Sequence, residues 1–253
     1  MKHFKHILLS VAVLFMVGAS FAQISQEEAL SKFVSAGMAY KNEQYEEAAQ
    51  KYNQIIEGGL ESGAVYYNLG NSYYREGDIG RAILNYERAK RLIPRDSDLK
   101  FNERYVSSRV PRHENFKEEN FFRGMIQSFV DFYTVDEMVM IIAGLVVIIG
   151  IVSLASLYGH WSQSLTRWVM ILLAVATLLY SAGLMDKVQT SRDLAVVLER
   201  SDATFEPRED STVHFKLSEG TKARILRTEG GWTKIERLDG KTGWIPSNVL
   251  EKI

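Results

Sequence analysis

The stretch Tyr66–Pro94, "YYNLGNSYYREGDIGRAILNYERAKRLIP", decides how this chain is read. Shifted back by 34 positions, Ala82 falls on Ala48, Tyr86 on Tyr52, Tyr74 on Tyr40 and Gly70 on Ala36. Small and aromatic residues in register at one period mark an internal repeat. Each unit reads as two helices joined by a tight turn, at Gly77-Asp78 in the second and at Asn42-Glu43-Gln44 in the first. Gly70 and Ala82 are small where the helices cross, so the backbones can approach closely. Tyr73 and Tyr86 fill the space beside that crossing, and Pro94 stops the second helix.

Working outward, a further shift of 34 lands on "DLKFNERYVSSR", where Arg104 replaces the small residue. That segment reads as a terminal capping helix. Upstream, Ser25-x-x-Glu28 offers a capping box for the first helix. Before it, residues 1–22 combine Lys2 and Lys5, an apolar run from Ile7 to Val17 and a small residue at Ala22. This is the pattern of a secretory signal peptide, an uncleaved anchor helix being the other reading.

Downstream, "RHENFKEEN" is charged and irregular, and 111–134 reads as a linker followed by an amphipathic helix. Phe121, Phe122, Met125, Ile126, Phe129 and Tyr133 fall at helical spacing there. Such a helix lies in a membrane interface or packs on the repeats, and periodicity does not separate the two. Residues 135–187 read as a transmembrane hairpin, with spans at 138–158 and 168–185 free of ionisable residues. The short connection "GHWSQSLTR" makes the spans antiparallel, so the flanking regions share one side. The signal peptide puts that side on the exported face, and the charge of the loop adds little. Without intramembrane charges a carrier or channel role is not expected.

From about Ser191 to residue 253 the pattern becomes period two. Val213, Phe215 and Leu217 share a face, and Gly230-Gly231 and Asp239-Gly240 punctuate short strands. The expectation is a small, closed or half-closed all-β barrel. The fold class is therefore a multi-domain membrane protein. It comprises a helical repeat array over 23–110, a two-helix hairpin and a β barrel.

Charge is balanced, with 30 basic and 31 acidic residues, which gives no field for nucleic acid. There is no cysteine, so thiol catalysis, disulfides, cysteine zinc sites and a lipidated cysteine are excluded. The histidines are scattered. No catalytic, metal or cofactor site is expected, and the chain reads as non-enzymatic.

The segment Tyr66–Pro94 resembles a tetratricopeptide repeat, with Leu69, Gly70, Tyr73, Ala82, Tyr86, Ala89 and Pro94 on the signature positions. The preceding unit is similar to a degenerate copy. The resemblance implies a peptide-binding groove lined by Tyr67, Asn71, Tyr74 and Arg75, with Tyr40, Lys41, Phe101, Tyr105 and Arg109 from the flanking units. Helix-on-helix packing is the competing role for each of them. The segment Glu219–Leu250 resembles a bacterial SH3 domain, carried by Trp232, Gly243-Trp244-Ile245 and the closing Ser247–Leu250 turn. This implies Trp232 and Trp244 on a ligand face, unless they serve to fill the barrel.

The order of modules resembles the tetratricopeptide type of the Bacteroides aerotolerance (Bat) family, BatE-like. That resemblance implies an inner-membrane, two-pass scaffold facing the periplasm. It would bind other Bat-type membrane proteins bearing von Willebrand A domains, served by a MoxR-type ATPase, in envelope assembly or oxidative-stress tolerance. A cell-wall sensor or anchor that binds peptidoglycan through the SH3-like barrel is the alternative.

Overall fold

The computed structural model describes residues 25–111, 121–158 and 163–253. The expected signal peptide and most of the linker lie outside these residues. The chain divides into two compact units at Glu61/Ser62.

The N-terminal unit is a helical hairpin of α1 (Gln26–Lys41) and α2 (Tyr45–Glu57). Ser25 caps α1, its hydroxyl accepting from the Glu28 amide at 3.1 Å, which satisfies one orphan donor of the first turn. Ala36, Ala39, Ala48 and Ala49 are buried where the helices meet, and Phe33 packs edge-on to Tyr52 at 5.6 Å. The turn carries Glu43 at φ 62°, a left-handed conformation more often given to glycine or asparagine.

The second unit opens with the helical pair α3 (Gly63–Glu76) and α4 (Ile79–Leu92), then α5 (Ser97–Ser107). Gly77 ends α3 at φ 91°, and Asp78 caps α4 by accepting from the Arg81 amide at 2.8 Å. The crossing needs Gly70, because a Cβ there would lie 2.8 Å from the Tyr86 ring. Tyr86, Ala82 and Ala89 are fully buried. α4 stops at Leu92, just before Pro94. Asp96 caps α5 through the Leu99 amide.

Next come α6 (Phe121–Phe132), α7 (Val135–Tyr158) and α8 (Gln163–Asp193). α7 and α8 are long and apolar enough to cross a membrane. They run antiparallel, since Met138 lies against Gly183 while Ser153 meets Met170 at 3.8 Å. α6 packs on α8 through Val130 against Gly183 and Phe129 against Tyr180. The Lys187 ammonium donates to the carbonyls of Val130 and Tyr133 at 3.0 and 2.7 Å, closing the carboxyl end of α6. α8 runs well past the expected end at 185. Nothing in "DKVQTSRD" breaks a helix, so it continues to Asp193 and meets the first strand directly.

Strands β1 (Leu194–Val197), β2 (Ser201–Thr204), β3 (Val213–Leu217), β4 (Lys222–Glu229), β5 (Trp232–Arg237), β6 (Thr242–Pro246) and β7 (Leu250–Lys252) form one antiparallel sheet. Its order is β3-β2-β6-β5-β4-β1-β7, with a 3₁₀ turn at Ser247–Val249 before β7. The core gathers Val197, Ala203, Phe215, Leu217, Ala223, Ile235 and Ile245. Phe215 and Leu217 point inward as the alternation requires, but Val213 does not. The register slips between Ala203 and Thr204, so Thr204 pairs Val213 and His214 is the extra residue. A bulge of this kind turns the next side chain outward, and Val213 is exposed.

Candidate functional site

Two surfaces of the second unit carry the chemistry: an aromatic face on α3 and α5, and a junction between α4 and the sheet.

On the aromatic face, Tyr74 meets Tyr105 edge-on at 6.0 Å, and Phe101 stacks parallel to Tyr105 at 6.4 Å. α5 places Phe101 and Tyr105 one turn apart, hence on one side of the helix. Arg109 lies 5.0 Å from the Tyr105 centroid and 5.8 Å from that of Tyr74, and donates to the Tyr105 hydroxyl at 2.7 Å. That guanidinium, first through its hydrogen bond, lowers the Tyr105 pKa; Tyr74, sharing a hydrogen bond with Tyr105, is raised. Phe101 is 64% exposed and Tyr105 46%, so the cluster faces solvent. Beneath it, Asn71 accepts from the Tyr86 hydroxyl at 2.8 Å and from Asn102 at 3.0 Å, and Asn102 also reaches the Tyr67 hydroxyl at 2.9 Å. These bonds tie α3, α4 and α5 together.

The structure thus brings Tyr74, Phe101, Tyr105 and Arg109 into one open cluster. It gives Asn71 and Tyr67 an internal bracing role. Arg75 is exposed one residue beyond Tyr74. Tyr40 and Lys41 end α1 in the other unit, where Tyr40 packs edge-on to Tyr45 at 5.3 Å.

In the sheet, Trp244 is only 3% exposed, and Arg227 covers its ring at 4.8 Å. Trp232 is half-buried at the β4–β5 turn, paired with Pro246. The exposed aromatic pair on this module is instead Phe205 stacked on His214 at 4.3 Å, with His214 Nδ1 3.1 Å from the Thr242 carbonyl. His214 is isolated along the chain, so the sequence alone does not mark this pair. The signal that could have found it is the alternation itself, which turns His214 outward beside inward-facing Phe215.

The junction joins residues far apart in sequence. The Lys222 ammonium, at the start of β4, donates to Glu87 of α4 at 2.6 Å and lies 3.5 Å from Glu103 of α5. Burial alone would raise the Glu87 carboxyl, but Lys222 and then Lys90 outweigh it, and the pKa is lowered. Burial would lower Lys222, but Glu87 and Glu103 reverse this and raise it. Two glycines permit the close approach. A Cβ on Gly80 would lie 2.7 Å from the Leu198 carbonyl oxygen. A Cβ on Gly220, at φ 77°, would lie 2.6 Å from Ile83 and 2.8 Å from Val110. Arg88 adds bonds to Glu251 and to the Lys252 carbonyl, and Arg91 donates to the Ile253 carbonyl.

Two segments match known families. Residues 63–96 match the tetratricopeptide repeat, and residues 205–251 match the bacterial SH3 domain. No curated protein matches the chain. Repeat units of the first kind stack helices into surfaces that hold other chains. The second match indicates a binding module, and the sheet described above is consistent with it. Among the described residues, no three His, Asp or Glu side chains gather as a metal site.

Proposed function

We propose that this protein is a non-enzymatic, membrane-anchored scaffold. Its repeat face holds a segment of a partner protein, and its SH3-like sheet contributes a second contact. The observation that carries this is the division of the helices α3–α5 between a docked surface and an open one. The sheet docks on α4, while Tyr74 of α3, Phe101 and Tyr105 of α5 and the following Arg109 form a separate cluster open to solvent. Exposed stacked aromatics beside a guanidinium suit an anchor-and-pocket contact with a peptide.

In this reading α7 and α8 cross the inner membrane as a two-pass hairpin, with both modules on the periplasmic face. α6 lies at the lipid boundary, since Met125, Ile126, Phe129 and Phe132 are more exposed than Gln127 and Asp131. Confinement to one membrane face raises the effective concentration of each module for nearby ligands. The module order supports a place among Bat-type membrane proteins, in a complex for envelope integrity or aerotolerance. The second reading, a wall sensor or anchor that binds peptidoglycan through the SH3-like sheet, draws on the bacterial SH3 match.

The test is in-cell crosslinking followed by mild-detergent co-purification of the full-length chain from its native membranes. A matched variant carries Arg75→Ala, Phe101→Ala and Tyr105→Ala, exposed positions whose loss leaves the Asn71 bracing intact. Partners lost from the folded variant support the groove. Unchanged partners remove it as the binding surface, and retention on isolated wall material then favours the second reading.

A further inference from the structure

The junction leaves a cavity of about 450 Å³ whose wall comes partly from α5 and the Val110-Pro111 turn, and partly from the sheet. Its lining side chains carry three cations, Arg104, Lys222 and Arg237, against two carboxylates, Glu103 and Asp239. The carboxylates are already engaged. Asp239 takes a two-pronged contact from Arg237, with Nε to Oδ1 at 2.9 Å, and Glu103 accepts from Ser107 at 3.0 Å besides facing Lys222.

The donors are not exhausted. Among the described residues Arg104 spends only Nε, on the Lys100 carbonyl, and its two terminal nitrogens take no acceptor. Lys222 has three N–H groups and two carboxylates to meet. The rest of the wall is apolar, from Val110, Pro111 and Leu238. Leu238 is 53% exposed at the β5–β6 turn, where it flanks the opening.

We propose that this cavity is a ligand site composed from both modules, and that it takes a carboxylate borne on a short apolar body. The carboxylate meets Arg104 and the spare donors, while the body lies on Val110, Pro111 and Leu238. Two sources share this chemistry, a peptide carboxyl terminus with an apolar last residue and a fatty acid. Because one wall belongs to each module, binding holds the modules together. The site is separate from the aromatic face, so the outcomes below leave the groove reading untouched.

The experiment is isothermal titration calorimetry on the full-length chain in nanodiscs. The probes are N-acetyl-Ala-Leu and octanoate, each compared with its amide. The expected result is saturable binding of one carboxylate, weakened about tenfold or more by amidation and by Arg104→Ala, the effect of losing a charge-assisted bond. Whichever carboxylate binds identifies the body. Leu238→Asp, which places a like charge at the opening, lowers affinity in the same way without touching a buried group. Gly80→Val, which undocks the sheet without replacing any lining residue, abolishes binding. The proposal is overturned by no saturation with either acid up to about 10 mM. It is equally overturned by amides that bind as well as acids, by indifference to both Arg104→Ala and Leu238→Asp, or by full binding in a folded Gly80→Val chain.

Discussion

Two surfaces of the helical layer α3–α5, the one that α4 turns to the sheet and the one that α3 and α5 leave open, are built from opposite materials. The covered face uses glycine and single charges: Gly80, Ile83 and Glu87 meet Leu198, Gly220 and Lys222 with no space left for a methyl group. The open face uses large rings and a guanidinium, loosely arranged and half in solvent. The difference separates a permanent contact from a transient one. A permanent intramolecular contact gains from close backbone packing, and its ion pair resists separation because removing one partner leaves the other charge unpaired. A surface that exchanges partners gains from rings that bury much area at low entropic cost and tolerate varied geometry.

The comparison is most easily broken at its glycines. Gly220→Val both forces a side chain into Ile83 and Val110 and strains a left-handed backbone. We expect a loss of about 3 kcal/mol, from overpacking together with the φ penalty. Chemical denaturation checks the magnitude, and faster proteolysis between β1 and β2 shows that the sheet has lifted off α4. A Gly220→Val chain as stable and as resistant as the parent would mean that the covered face is not tightly closed.

Lys222→Met comes next. It leaves Glu87 and Glu103 facing each other without their cation, and we expect about 2 kcal/mol, less than for a fully buried pair because Lys222 is 28% exposed. Double replacement with Glu87→Gln should recover part of that loss, and a double-mutant cycle measures the coupling. Purely additive effects would show that the ion pair adds nothing to docking.

The same contact has a pH window. The folded Glu87 pKa lies below its ordinary value of 4.5, so its contribution is present above that value and is lost as pH falls through the folded one. The folded Lys222 pKa lies above 10.5, so its contribution is present below that and is lost as pH rises further. Docking should therefore hold between about pH 5 and pH 10 and weaken on either side. Asp239, held down to about 2 by Arg237, adds to the acid loss between its ordinary 3.8 and that value. Amide exchange of β1 and β4 against pH reads this directly, and protection unchanged at pH 3 would contradict it.

The smallest effect on stability belongs to the open face. Phe101→Ala should change it by about 0.5 kcal/mol or less, as for an exposed surface site, while weakening partner capture far more. Thermal unfolding and crosslinking yields separate the two. A large loss of stability would make Phe101 a packing residue.

Much of the helical architecture is legible in order along the chain. The fixed spacing of Gly70, Ala82, Tyr86 and Pro94 specifies the pair, and the glycine turns mark the strands, because those signals act within a few residues. The junction is illegible for the opposite reason. Glu87 and Lys222 are 135 positions apart, and each looks like an ordinary solvated charge until the fold joins them. Gly80 carries no sequence sign of the close approach to Leu198 that the fold gives it. On the sheet, the sequence leaves Trp244 open between a ligand face and a filling role, and the structure buries it under Arg227, while Phe205 and His214 surface beside a bulge. On the helical face, Asn71 shows its amide to sequence reading as a free hydrogen-bonding group, whereas three helices meet at its oxygen.

The direct passage from α8 into β1 has a mechanical consequence. No flexible spacer separates Asp193 from Leu194, and β1 sits between β4 and β7 inside the sheet. Torque applied to the helix is therefore delivered to the sheet without slack, as by a shaft keyed to a wheel. A change in helix tilt reappears as angular displacement of the sheet, and α4, bolted to that sheet by Gly80, Gly220 and Lys222, turns with it.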